Sequence, residues 1–251
     1  MKIKALCTVS LFAAAMAIAA PASAQDAIEW SATVDVVTEY NFRGFGLGAE
    51  SIQPGIEGSI GGFTFGAWAN SGFGEESVLN ADEIDLYAGY GFDLSETISA
   101  DIGATLYHYP QLGELFDVGT DAGDASTFEL YGGLAFAVPL EPSVYIYYDT
   151  TLETLTAEGS AGYSWATGDN TSLDLSGTIG TIEPDQGDGY SYGILGASYN
   201  YAFNDSTSVY ASLNGSVSSE DTFINFSDAL DGVVNLDSNT VWVGVGLATG
   251  F

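Results

Sequence analysis

The sequence predicts an all-β protein: a transmembrane antiparallel β-barrel of about twelve strands following an N-terminal signal peptide. Three observations predict it. Apolar and polar residues alternate with period two along most of the chain, while helical spacing is hard to find. The connections between the alternating runs are tight and long by turns, as in outer-membrane barrels with short periplasmic turns and longer outer loops. The charges are also sorted. The chain holds 34 Asp and Glu yet is 46% hydrophobic, with a mean hydropathy of +0.17. Strands that turn one face to lipid and the other inward achieve that separation.

Residues 1–24 read as the signal peptide, with Lys2 and Lys4 as the positive start, Ala5 to Ala20 as the apolar stretch and Ala22-Ser23-Ala24 as the cleavage pattern. Residues 25–251 then form the barrel. The single cysteine, Cys7, leaves with the leader, so neither disulfide nor thiol chemistry is expected. Beyond residue 24 no apolar run reaches the ~20 residues of a membrane-spanning helix.

The strands are expected near 32–44, 51–60, 63–71, 82–93, 97–109, 127–137, 143–151, 154–166, 171–181, 190–203, 206–218 and 239–251. The last is the clearest, with Val241, Val243, Val245, Leu247 and Phe251 on one face against Trp242, Gly244, Gly246 and Ala248 on the other. In 83–92, Ile84, Leu86, Ala88, Tyr90 and Phe92 oppose Glu83, Asp85, Tyr87, Gly89 and Gly91. Tight turns fall at Gly61-Gly62, 93–96, 138–142, 168–170 and Asn204-Asp205; long connections fall at 72–81, 110–126, 182–189 and 219–238. Two outer connections, near 45–50 and 151–153, are short. Tyr90, Phe92, Phe136, Tyr163, Trp165, Tyr201, Phe203 and Phe251 cluster beside the tight turns, as an interfacial aromatic girdle would. Both termini are expected on the periplasmic side.

Past the leader Arg43 is the one basic residue. So negative a chain repels phosphate, which excludes nucleic acid as a partner. The expected partners are outer-membrane lipid and lipopolysaccharide, and small hydrophilic solutes.

The run from Val37 to Trp68, with "EIDLYAGYGF" and "ISADIGATLYHYP" after it, resembles the TorF-type porin family of proteobacterial outer-membrane proteins, also catalogued as a conserved family of unknown function. The resemblance rests on Tyr40-Asn41-Phe42-Arg43-Gly44, on Glu83, Asp85 and Tyr87, and on Tyr107, Tyr109 and Pro110, and covers about residues 33–110. It implies an outer-membrane barrel and a pore, with no established substrate. Phe251 looks like the end signal read by the outer-membrane assembly machinery, a transient partner.

With the apolar faces toward lipid, the pore-lining candidates are Asp35, Glu39, Arg43, Glu57, Glu83, Asp85, Tyr87, Asp101, Tyr107, Glu129, Tyr131, Tyr147, Asp149, Glu158 and Asp174. Asn41, Trp68, Thr105, Tyr145, Tyr192 and Tyr210 share their faces. Carboxylates lining a narrow low-dielectric passage favour cations. The tyrosines would stack on sugar rings or fill space. An inward Arg43 needs a partner, and Glu39, Glu83, Asp85 and Glu129 are candidates; it would brace the barrel or set a transverse field at a constriction.

The expected function is passive diffusion of small hydrophilic solutes, with cations preferred. The alternative is a non-conducting barrel whose acidic outer loops (Asp117, Asp121, Asp124, Asp185, Asp188, Glu220, Asp221, Asp228, Asp231 and Asp237) bind cations; none of these has EF-hand spacing. A third reading is a lipid-directed enzyme using His108, the single histidine, though no nucleophile motif accompanies it. No catalytic residue, resident metal or cofactor is expected.

Overall fold

The computed structural model describes residues 27–74, 82–118, 125–226, 228 and 235–251. The leader expected at 1–24 lies outside them. Twelve strands close into one antiparallel barrel. In chain order these are β1 (Glu29–Val37), β4 (Ser51–Ile60), β5 (Phe63–Gly72), β6 (Glu83–Asp93), β7 (Ile98–His108), β8 (Ser126–Phe136), β9 (Ser143–Asp149), β10 (Thr154–Ala166), β11 (Thr171–Pro184), β12 (Tyr190–Ala202), β13 (Thr207–Ser218) and β16 (Asn239–Gly250). Each pairs with its sequence neighbours, and β1 pairs with β16 to close the cylinder. Four short strands stand apart as two hairpins: β2 (Tyr40–Phe42) with β3 (Phe45–Gly48), and β14 (Phe223–Ile224) with β15 (Leu236–Asp237).

The first expected strand is the one that differs. Residues 32–44 do not run on as one strand, and 45–50 is not a short outer connection. The ladder with β16 stops just past Val37, where Thr38 accepts and donates its last bonds to Val243. The chain then doubles back at Arg43 and Gly44, whose φ angles of 48° and 75° are those of a two-residue hairpin turn. A continuous strand cannot accommodate two successive left-handed residues. Tyr40 and Phe42, on the strand before that turn, find aromatic partners in Trp68 and Tyr107 instead.

Pro54 interrupts the β4–β5 ladder, since it has no N–H to donate. Gln53 restores the link through its side chain, donating to Asn70 Oδ1 at 3.1 Å and to Ser51 Oγ at 3.2 Å.

The outer surface is apolar. Ile102, Ile146, Ile179, Leu195 and Val241 all stand exposed, Ile179 and Leu195 by 72% and 73%. A continuous belt of this kind has no place in water and is a lipid-facing surface. Exposed Phe63, Tyr163, Trp165, Phe203 and Phe251 rim its short-turn end, where a ring with an apolar body and a polar edge suits the headgroup layer. Leu195 sits mid-way along β12, so Leu195→Arg is expected to destabilise the barrel by about 2–4 kcal/mol, the range for a cation near the bilayer midplane. Urea unfolding in phospholipid vesicles measures it; a cost within error of zero would place Leu195 outside the hydrocarbon layer.

Candidate functional site in the barrel interior

The β2–β3 hairpin folds into the mouth of the barrel at its long-loop end. Its tip carries Arg43, 9% exposed. The guanidinium makes a two-pronged ion pair with Glu129 on β8, Nη1 to Oε2 at 2.6 Å and Nη2 to Oε1 at 2.9 Å. It also lies 3.8 Å above the ring of Tyr147 on β9 and 4.7 Å from that of Phe42. The Tyr107 hydroxyl donates to the same Glu129 Oε1 at 2.9 Å. A fork-to-fork pair, a π face and a further donor make this a tightly defined guanidinium pocket.

The rest of the hairpin is fastened on several sides. Tyr40 packs against Trp68 on β5 and donates to Glu83 Oε2 at 2.9 Å, while Tyr109 donates to Glu83 Oε1 at 3.3 Å. Phe42 meets the ring of Tyr107 edge-on. From the opposite wall Tyr190 donates to the Arg43 carbonyl at 3.1 Å. The loop after β13 reaches in as well: Thr222 donates to the Gly44 carbonyl at 2.5 Å and accepts from Gly46 N–H at 3.1 Å. Gly44 lies against Tyr192 so closely that a Cβ there would overlap its side chain.

Below the hairpin, the wall repeats one construction four times. An inward carboxylate, a glycine and a tyrosine stand on three successive strands in direct cross-strand register: Glu57–Gly66–Tyr87, Asp101–Gly133–Tyr145, Glu158–Gly180–Tyr192 and Asp35–Gly246–Tyr210. In each, the tyrosine ring lies across the glycine and its hydroxyl donates to the carboxylate beyond. The bonds are 3.1 Å to Glu57, 2.7 Å to Asp101 and 2.6 Å to Glu158, with Tyr210 to Asp35 the fourth. The missing side chain of the glycine is what lets the ring lie flat. These tyrosines therefore cover the wall, and the rings run along it. Tyr131 lies over Gly103 and Gly89 without a carboxylate at the end of the row.

The candidate residues stand in unlike settings. Asp35, Glu57, Asp101 and Glu158 belong to the tyrosine bridges. Glu83, Asp85 and Glu129 gather on β6 and β8 around the hairpin, each at most 4% exposed. Asp85 keeps Oδ1 buried with no partner. Glu39, offered as a partner for Arg43, instead accepts from Thr240 Oγ1 at 2.7 Å. Asp149 accepts the backbone N–H groups of Thr151 and Leu152, both at 2.8 Å, and so holds the four-residue loop that ends β9. Asp174 is clasped by Ser164 and Asn200 at 2.6 and 2.7 Å. The opposite wall carries a small apolar cluster of Ile194 and Trp242 with Tyr192, a feature that alternation scored only by polarity overlooks.

His108 is 6% exposed, with Nδ1 at 3.0 Å from both the Ala125 carbonyl and the fully buried Ser126 hydroxyl. A carbonyl only accepts, so Nδ1 carries the hydrogen and is no base toward Ser126. Of the loop acids, Asp121, Asp124 and Asp231 lie outside the described residues. Among the described residues no group of three or more acidic, His or Cys side chains converges as metal ligands do.

A family model described as "Bacterial protein of unknown function (Gcw_chp)" matches residues 21–140, which include the hairpin and β1 to β8. No curated protein matches the sequence. Among solved structures, a KdgM porin is similar at TM-score 0.55 and 11% identity, over 88% of this chain and 99% of that one. A NanC porin is similar at TM-score 0.52 and 10% identity, over 86% and 98%. KdgM in complex with disordered oligogalacturonate gives TM-score 0.52 and 10% identity, over 89% and 99%. At such identities the likeness is one of fold. With its closed twelve-stranded cylinder, its lipid belt and the architecture it shares with these porins, the protein is a bacterial outer-membrane β-barrel.

Proposed function

We propose that the barrel is a porin-like channel for passive diffusion of small hydrophilic solutes, that it prefers cations, and that it is a TorF-type porin. One observation carries the reading. Among the described residues Arg43 is the sole Lys or Arg, and it is ion-paired to Glu129, while Glu83, Asp85, Asp101 and Glu158 are buried in the interior as well. Carboxylates in a passage walled by protein and lipid concentrate cations and exclude anions. The oligogalacturonate held by KdgM is a polyanion, and this interior is charged against such a ligand. The fifteen pore-lining candidates named from the sequence are part of this proposal, as is a mature chain of residues 25–251 delivered by the assembly machinery.

The test is planar-bilayer recording of the refolded protein across a KCl gradient. Discrete openings whose reversal potential lies toward that of K⁺ are expected, and Glu83→Gln is expected to move it toward zero. Silence from folded protein would favour the non-conducting alternative, for which the hairpin across the mouth is the structural argument.

A further inference from the structure

The pocket around Arg43 has properties that a mere brace does not require. Arg43 is a poor residue for its backbone position. The first residue of a two-residue hairpin turn must adopt a left-handed conformation, which Asn, Asp and Gly accept readily and a long side chain does not. The side chain is also imperfectly held. Its Nε is buried without a partner, and so is one oxygen, Oδ1, of Asp85; the Asp85 carboxyl otherwise shares a hydrogen bond with Glu83 and pairs in register with Tyr107, itself a donor to Glu129. One donor and one acceptor atom therefore stand unsatisfied on the two sides of Glu129's neighbourhood, Nε on Arg43 and Oδ1 on Asp85. Buried groups left in that state carry a desolvation cost that a better-placed ligand removes. A guanidinium tethered to a hairpin cannot turn to serve both; a free one can.

We propose that this pocket is the channel's binding site for guanidinium-bearing solutes and that Arg43 occupies it as a built-in competitor. The site's parts match that chemistry: the Glu129 carboxylate for two parallel N–H donors, the Tyr147 face for the flat cation, and Asp85 for a further N–H. Such a solute replaces Arg43 on Glu129, relieves the strained turn and frees the hairpin tip from the mouth. An ammonium solute lacks the planar fork and binds less well. This names the solute class of the channel proposed above and rests on that reading. Binding is measured without conductance, however, so the two fail separately.

The experiment is calorimetric titration of arginine amide, with lysine amide as the matched ammonium probe, into detergent-refolded full-length protein. Folding of each variant is confirmed by heat-modifiable electrophoretic mobility. Arg43→Asn empties the pocket and suits the turn; Arg43→Gly serves the same purpose if the first does not fold. One saturable site with Kd on the order of 1 mM is expected in either variant. Wild type should bind about tenfold or more weakly, because the tethered side chain competes at an effective concentration in the millimolar range. Adding Glu129→Gln to Arg43→Asn should weaken binding at least about tenfold. If neither emptied variant folds, titration of wild type against Glu129→Gln reads the same site. Binding that is equal with and without Glu129, or equal for arginine amide and lysine amide, would overturn the proposal, since diffuse attraction to the acidic loops has that signature. No binding to a folded, emptied variant would overturn it as well.

Discussion

Glu129→Ala is expected to eject the β2–β3 hairpin from the barrel mouth. The substitution leaves the Arg43 guanidinium buried without its counter-charge and takes the acceptor from the Tyr107 hydroxyl. Breaking a buried pair by removing one partner typically costs about 3–5 kcal/mol. Besides the ring contacts of Tyr40 and Phe42, the hairpin keeps hydrogen bonds from Tyr40, Tyr190 and Thr222, each contributing about 0.5–1.5 kcal/mol net, or somewhat more at the Glu83 carboxylate. The chain has an alternative that a true core lacks: Arg43 can regain water by swinging outward. The expected readouts are a larger single-channel conductance and faster labelling of a cysteine placed at Leu47. Arg43→Asn should be milder. It relieves a strained turn, a cost of order 1–3 kcal/mol, and leaves Glu129 with Tyr107 as donor. If the two variants behave alike, the ion pair is not what seats the hairpin.

The barrel itself was legible in the sequence because its determinants are local. Period-two alternation assigns inside and outside strand by strand, and turn chemistry punctuates it, so Ile84 and Asp85 reveal their faces without knowledge of their neighbours. The hairpin was not legible by the same logic. Tyr40-Asn41-Phe42 alternates well enough to pass for the end of β1. What decides otherwise is the pair of left-handed residues at Arg43 and Gly44, a backbone fact that the letters Arg-Gly suggest only weakly. An Asn-Gly at that place would have announced a turn.

The partner of Arg43 shows the same limit. Glu129 stood among four candidates, and nothing in the spacing singled it out, because 86 residues separate the two and the distance between them is set by how far the hairpin reaches across the barrel. Asp149 was assigned by its face alone, yet its carboxylate serves two backbone N–H groups of its own loop. Facing inward and being available to a solute are different properties. The first follows from alternation; the second depends on which donors arrive from elsewhere.

The tyrosine bridges were hidden for a related reason: each is spread over three strands, and only the register joins them. They predict a sharp effect from a very small change. Gly133→Ala is expected to destabilise the barrel by about 1–3 kcal/mol, in the range of overpacking in a filled interior. The new methyl group would fall inside the ring of Tyr145, and ring atoms are what it meets there. Tyr145 must then leave the wall and give up its 2.7 Å bond to Asp101, whose other oxygen is already buried and unpaired. A ring displaced from the wall enters the lumen, so conductance should fall along with stability. Tyr145→Ala alone should cost the bond and the packing, but Gly133→Ala should then add little, because the ring it collides with is gone. The double-mutant cycle in vesicle-reconstituted protein is therefore expected to give a coupling above about 1 kcal/mol. Additive effects would mean that the glycine is needed for its backbone, with no part in holding the tyrosine flat, and the four bridges would lose their common explanation.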